Sequence, residues 1–378
     1  MEKRKIEHIY WFAYYNLDSP SVRYRAKYPL DFAKEKLGIS SHLIIPGYSP
    51  KRLLNFIVSY FSALFFPKKD SLIVIQRVRS NFIYSNLLKL LVITRQKLTI
   101  YDLDDADYLE HNSKTIHFFA RHSHYISAGS PEIAYYLKKF NRKIIHTTSP
   151  TPDYRIIKKE RNSVFTVGWV GGFGWGHKDS LYKYLFPALK EIGFDCRLTM
   201  IGIHNKSDQL ELIEFFKEHE NIEVDILKNI DWKDEESIQN MIARFDVGIA
   251  TLLDHPIQLA KSGIKAKQYM NNGIPVICND LPENNNVVVD GFNGFICNST
   301  SEFSERLTQL RNMNDDEYFE YSKNARKSIK YFNHWKYFED LEKIKNGILG
   351  VKNTEPLSVS DCTESLNQQP TVLTEVHK

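Results

Sequence analysis

Between residues 245 and 297 the chain reads FDVGIATLLDHPIQLAKSGIKAKQYMNNGIPVICNDLPENNNVVVDGFNGFIC. An apolar run at 247–251 enters a loop carrying Lys261, Ser262 and Gly263. A helix is expected over 264–272, a second apolar run covers 275–278, and Gly291 and Gly294 turn the chain into a third. Strand-length apolar runs separated by a helix are what a parallel sheet demands, because parallel strands need a crossover between them. In such a sheet the loop after each strand feeds the start of the next helix. Free N–H groups and the positive end of the helix dipole make an anion site there. Lys261 and Lys265 add fixed charge, so this loop is expected to hold a diphosphate.

The rest of the chain repeats the alternation. Strands are expected at 8–14, 43–45, 71–75, 97–101, 126–128 and 143–146, with helices at 29–37, 84–91 and 130–140. The charged, proline-containing stretch 150–162 reads as a linker. A second series follows, with strands at 164–170, 197–201, 222–225, 247–251 and 275–278 and helices at 181–191, 210–218 and 235–244. This predicts an α/β protein of two doubly wound domains, 1–155 and 156–330. The polar tail 351–378 reads as disordered.

Gly263, Ile264, Lys265, Gln268, Tyr269, Met270, Gly273, Pro275, Val276 and Ile277 form an ordered pattern. Asn284, Val287, Gly291, Asn293, Gly294 and Phe295 extend it. The arrangement resembles the donor-binding half of GT-B glycosyltransferases, in particular the retaining family called glycosyltransferase group 1. The resemblance implies two Rossmann-like domains facing a central cleft, with the acceptor on the first and a nucleotide sugar on the second. A helix-like segment over 318–348 would cross back toward the first domain, its crossover part being 331–350. It also implies transfer of a sugar from a nucleoside diphosphate sugar to an acceptor hydroxyl with retained anomeric configuration. Neither a metal nor a cofactor is expected. Many members carry two glutamates at the positions held here by Ala260 and Gln268. Gln268 can still hydrogen-bond a ribose hydroxyl; Ala260 cannot, so Ser262, Gly263, Ile264 and the two lysines would carry more of the anion binding.

Three other stretches offer chemistry. The glycine-rich run 168–178 lets backbone approach a ligand, and Gly172 and Lys178 are its candidate donor contacts, with Lys178 matching a basic residue that the family places on the diphosphate. Arg23 and Arg25, after the first strand, have the fork geometry that suits phosphate or carboxylate, and are assigned to the acceptor side. Asp102, Asp104, Asp105 and Asp107 close a strand; they could cap a helix, bind a cation as a DxD motif, or hold sugar hydroxyls. Asp102 or Asp104 is favoured for the sugar, and these with Lys178 and Lys265 form the expected catalytic set. The histidines at 111, 117, 122 and 124 lack metal-ligand spacing and are expected to pack.

Net charge is +4 without a dense basic cluster, which argues against a nucleic-acid partner. The four cysteines lie far apart and read as reduced thiols. No signal peptide is visible at the start, so a cytoplasmic enzyme is expected. Residues 53–66 (LLNFIVSYFSALFF) are too short to span a bilayer. Between Lys51, Arg52, Lys68 and Lys69 they fit either a core helix or an interfacial helix at the inner membrane face, serving a glycan or lipid-linked acceptor. The alternatives are a non-catalytic nucleotide-sugar-binding scaffold, which Ala260 motivates, and a GT-B epimerase or phosphorylase.

Overall fold

The computed structural model describes residues 5–111, 113–174, 176–228 and 230–345. The expected tail at 351–378 and the last part of the crossover segment, 346–350, lie outside the described residues.

Two six-stranded sheets carry the chain, and every pairing within them is parallel. The first contains β1 (His8–Ala13), β2 (Ser40–Ile44), β3 (Ser71–Gln76), β4 (Thr99–Leu103), β5 (Tyr125–Ala128) and β6 (Ile144–His146), in the order β2-β1-β3-β4-β5-β6. The second contains β7 (Phe165–Val170), β8 (Cys196–Ile201), β9 (Ile222–Leu227), β10 (Val247–Ala250), β11 (Val276–Cys278) and β12 (Gly294–Ile296), in the order β12-β11-β10-β7-β8-β9. Helices cover both faces, so the central strands are mostly apolar and buried; β1, HIYWFA, is buried at every residue. The order reverses between β1 and β3 in one sheet and between β7 and β10 in the other. Ligands of open parallel sheets sit beyond the strand ends at such reversals, and here the loops after β1, β7 and β10 face one another.

Residues 16–29, whose polar sequence suggests a loop, are a loop only as far as Ser19. Helical structure begins at Pro20, continues through π-helical turns at Arg23–Lys27 and Ala33–Leu37, and ends at Gly38 with φ 68°. Val22, Ala26, Leu30 and Ala33 supply an apolar stripe at helical spacing, buried in one cluster; the charged and aromatic residues between them hide it in the sequence. The 318–348 segment is likewise not one helix. Asn314 and Glu317 form a capping box that starts a helix at Asp315–Ser328. A short 3-10 turn, Ile329–Phe332, follows, and Asn333 bridges back to Thr151 before the helix His334–Lys345. Tyr337, Phe338, Leu341 and Ile344 of that last helix pack against Ile6, Ile9 and Trp11 in the core of the first domain.

Candidate active site

A cavity of about 470 Å³ lies between the two sheets, walled by the loops after β1, β4, β7 and β10. Its phosphate-like end is built on the helix Ile264–Asn271. Gly263 caps that helix in a left-handed conformation, φ 58°. Tyr269 pins it to the sheet: its hydroxyl donates to Ile249 O (3.1 Å) and accepts from Val170 N–H (3.0 Å), its ring lying where Gly248 has no side chain. Facing the helix start is Gly171 at φ 152°, where a Cβ would come within 2.9 Å of Lys265 Cε. The turn after β7 therefore needs glycine both for its backbone angle and for room beside the lysine.

Two lysines and a histidine converge here. Lys265 Nζ lies 3.2 Å from His177 Nε2 and over the Trp169 ring, 5.9 Å from its centroid. Burial, reinforced by the neighbouring Lys261, pushes the Lys265 ammonium down to about 7. Burial and then the two lysines hold His177 well below the usual imidazole value. Lys261 Nζ reaches across to Asp105 Oδ2 at 2.9 Å. The site is thus depressed in proton content, and an anion placed between the cations would restore it.

Carboxylates line the opposite wall. Ser21 Oγ donates to Asp104 Oδ1 (2.7 Å), and burial raises the Asp104 carboxyl against the pull of Arg77 and Arg25. Burial would raise Asp105 too, but Lys261 and Arg77 outweigh it and hold that carboxyl low. Arg77 binds Asp107 (Nε–Oδ2 2.8 Å), so the acidic cluster is neutralised by an arginine after β3. Asp107, Glu110 and His111 could geometrically share a cation, although Asp107 is already held by Arg77.

The third end of the cavity holds Gln268, Glu235, Tyr24 and Trp232. The Tyr24 hydroxyl donates to Glu235 and accepts from Gln268 Nε2 (2.6 Å), linking the two domains across the cleft. Trp232 Nε1 donates to His204 Nε2 at 3.1 Å, leaving an aromatic surface beside the carboxylate.

Of the expected donor contacts, Gly172, Lys261, Ser262, Gly263, Ile264, Lys265 and Gln268 line this cavity, as do Arg23 and Asp104 on the other side. Three expected residues do not. Lys178 is turned to the opposite side of its helix, where Asp208 (2.8 Å) and Glu211 (2.6 Å) hold it; its neighbour His177 faces the cavity instead. Asp102 and Arg25 are fully buried and paired with each other, Arg25 Nε donating to Asp102 Oδ2 at 2.9 Å. Residues two apart on a helix face different ways: Arg23 reaches the cavity, and even there its guanidinium donates to Leu17 O and Asp18 O (2.9 and 2.8 Å). Ala260 is buried among apolar residues of the first domain, including Tyr101 and Leu103. The sequence reading missed Glu235, Tyr24, Trp232 and His177. Glu235 and Trp232 were within reach of the same rule that found Lys261, since both follow the end of a strand, β9.

Residues 164–312 match the family described as Glycosyl transferases group 1. Among solved structures, HepE of Anabaena in complex with UDP-glucose superposes with a TM-score of 0.62 at 13% identity, covering 89% of this chain and 98% of that one. A glycosyltransferase from Rickettsia africae ESF-5 gives a TM-score of 0.63 at 13% identity over 92% of this chain and 99% of that one. The lipopolysaccharide outer core galactosyltransferase WaaB, in its apo form, gives 0.59 at 14% identity over 90% and 100%. No curated protein matches the sequence. The fold is therefore GT-B, two Rossmann-like domains around a cleft. Within it, the family match falls on the second of the two domains, over residues 164–312.

Proposed function

We propose that the chain moves a sugar from a nucleoside diphosphate sugar to an acceptor hydroxyl on a glycan or lipid-linked saccharide, retaining the anomeric configuration. The observation that carries this reading is the convergence of Lys261, Lys265 and the Gly263-capped helix start on the glycine turn after β7, at one wall of the interdomain cavity. The diphosphate lies between these groups. Its nucleoside extends toward Gln268, Glu235 and Trp232, and its sugar toward Asp104 and Asp105. The HepE complexes with UDP and UDP-glucose support a uridine diphosphate donor.

Leaving-group departure concentrates negative charge on the diphosphate, and fixed cations with oriented N–H groups stabilise it where it develops. The acceptor oxygen bonds to the anomeric carbon on the face from which the diphosphate leaves. The bond from that carbon to the phosphate oxygen breaks, and the hydroxyl proton passes to the departing oxygen. No second carboxylate has to act as a base. A glutamate at position 260 would be buried in an apolar cluster, so Asp105, across the cleft, is the carboxylate assigned to the sugar. Its pairing with Lys261 must loosen as the donor enters.

Calorimetric titration with UDP, UDP-glucose and other nucleotide sugars tests the donor assignment. Saturable binding that Lys265→Met weakens is the expected result, and no binding by any nucleotide diphosphate overturns it. The anomeric signal of the product, followed by NMR, decides retention. Ala260 also favours a second reading, a nucleotide-sugar-binding protein without turnover. Donor hydrolysis or transfer at a measurable rate removes it.

A further inference from the structure

The outer surface of the first domain carries an apolar face that the cleft does not explain. The helix Pro50–Phe65 buries Ser59, Tyr60, Ala63 and Leu64 against the sheet, yet on its other side Leu54, Val58, Phe61 and Phe65 are each more than half exposed. The neighbouring helix Phe82–Thr94 exposes Phe82 at 83% and Ile83 at 72%, with Leu90 and Ile93 further along. The helices touch through Tyr60, whose hydroxyl donates to Leu87 O at 3.0 Å, and through the Phe56 and Tyr84 rings, 5.4 Å apart. Their exposed faces therefore adjoin. A contiguous apolar patch of this kind on a folded domain marks an interaction surface.

Charge selects the occupant. Neither helix carries an acid, and Asp70 is the only acid between residues 47 and 101, itself paired with Lys345 at 3.0 Å. Lys51, Arg52, Lys68 and Lys69 stand exposed at the ends of the first helix, and Lys97 follows the second. An apolar strip flanked by cations fits the interfacial zone of an anionic bilayer, with side chains among the acyl chains and ammonium groups among the phosphates. A second copy of the chain would instead bring like charges together across a two-fold axis. Among the described residues no helix is long and apolar enough to cross a membrane, so the contact is one of docking.

We propose that these two helices seat the protein on an anionic lipid bilayer. Each helix starts beyond the C-terminal end of a strand, β2 or β3, and the cleft opens at those same strand ends. Leu54, Phe82 and Ile83 therefore lie toward the cleft's edge, and docking turns its mouth to the headgroups. That last step rests on the transferase reading; the docking itself does not.

Co-sedimentation of the full chain, without nucleotide, with vesicles of phosphatidylcholine alone or mixed equally with phosphatidylglycerol tests the proposal. Binding is expected only to the mixed vesicles, falling as salt shortens the Debye length. Lys51→Gln and Lys69→Gln, both at exposed positions, should each weaken it roughly fivefold. Phe82→Gln with Ile83→Asn should abolish it while UDP still binds as to the wild type. If that variant does not fold, the two lysine variants carry the test alone. No sedimentation with mixed vesicles at low salt overturns docking, as does equal binding to both compositions. Light scattering that detects a dimer broken by Leu54→Gln would assign the face to a second copy instead. Docking with no transfer activity would leave this proposal standing and count against the transferase reading.

Discussion

Lys265 and Lys178 look interchangeable as sequence letters, both lysines near glycines, and the fold gives them opposite tasks. Lys265 is pressed against Trp169 and His177 at the cavity wall; Lys178 is tied to two carboxylates on the far side of its helix. Lys178→Ala should leave UDP affinity unchanged and cost about 0.2–1 kcal/mol of stability, as exposed pairs do, while Lys265→Met should cost about 1.5–3 kcal/mol of binding. Calorimetry and thermal melts on the two variants check both expectations. The depressed Lys265 also sets a pH dependence. With no ligand it loses its proton near 7, while a bound diphosphate raises that value, so binding takes up a proton. Affinity is expected to be flat below about pH 7 and to fall above it, at most tenfold per unit, with this decline absent in Lys265→Met. Titrations at several pH values decide it; a wild-type affinity that rises through that range contradicts the assignment.

At the scale of elements, the turn after β7 offers an internal comparison. Gly171 sits at φ 152° with Lys265 against it, whereas a Cβ on Gly172 meets nothing within 4 Å. Gly171→Ala should cost about 1–3 kcal/mol in strain and weaken UDP binding by displacing Lys265. Gly172→Ala should be close to silent in a thermal melt. The strands and the Lys261–Gln268 helix were legible in the sequence because parallel strands are mostly apolar and the loops between them are marked by glycine, proline and charge. The helix over 20–37 was not, because its buried stripe of small residues is interleaved with arginines, tyrosines and lysines. For the same reason Arg25 looked like a surface ligand: nothing in the sequence says that Asp102 lies beneath it. Lys178 was lost on a finer scale, since adjacent residues at a helix start differ by about a hundred degrees of facing and a motif does not fix which one enters the cleft.

Across the whole molecule, the cavity is crossed by the ties that hold its walls together. Tyr24 to Glu235 and Gln268, and Asp105 to Lys261, both join the first domain to the second. Tyr24→Phe combined with Asp105→Asn should let the domains separate, increasing the radius of gyration in small-angle scattering without ligand. Saturating UDP should largely reverse the increase, and an unchanged radius would mean that the other contacts between the domains, such as His146 with Glu283 at 3.1 Å and Asp18 with Lys233 at 2.8 Å, hold them together. Since fixed cations rather than an ion face the donor in this reading, transfer should persist in excess EDTA. Loss on chelation with recovery in magnesium or manganese would instead promote Asp107, Glu110 and His111.

The helix His334–Lys345 also bears on the order in which the protein can be made. Its Tyr337, Phe338, Leu341 and Ile344 complete a core whose other members, from Ile6 to Tyr125, leave the ribosome long before it. At roughly 5–20 residues per second, the first domain waits about ten to forty seconds for the piece that closes it. Through that interval Ile9 and Trp11 share this side of the sheet only with earlier residues of the cluster, such as Val22, Ala26, Leu30 and Ala33, and lack the cover of the last helix. The half of the chain synthesised first is therefore the half completed last.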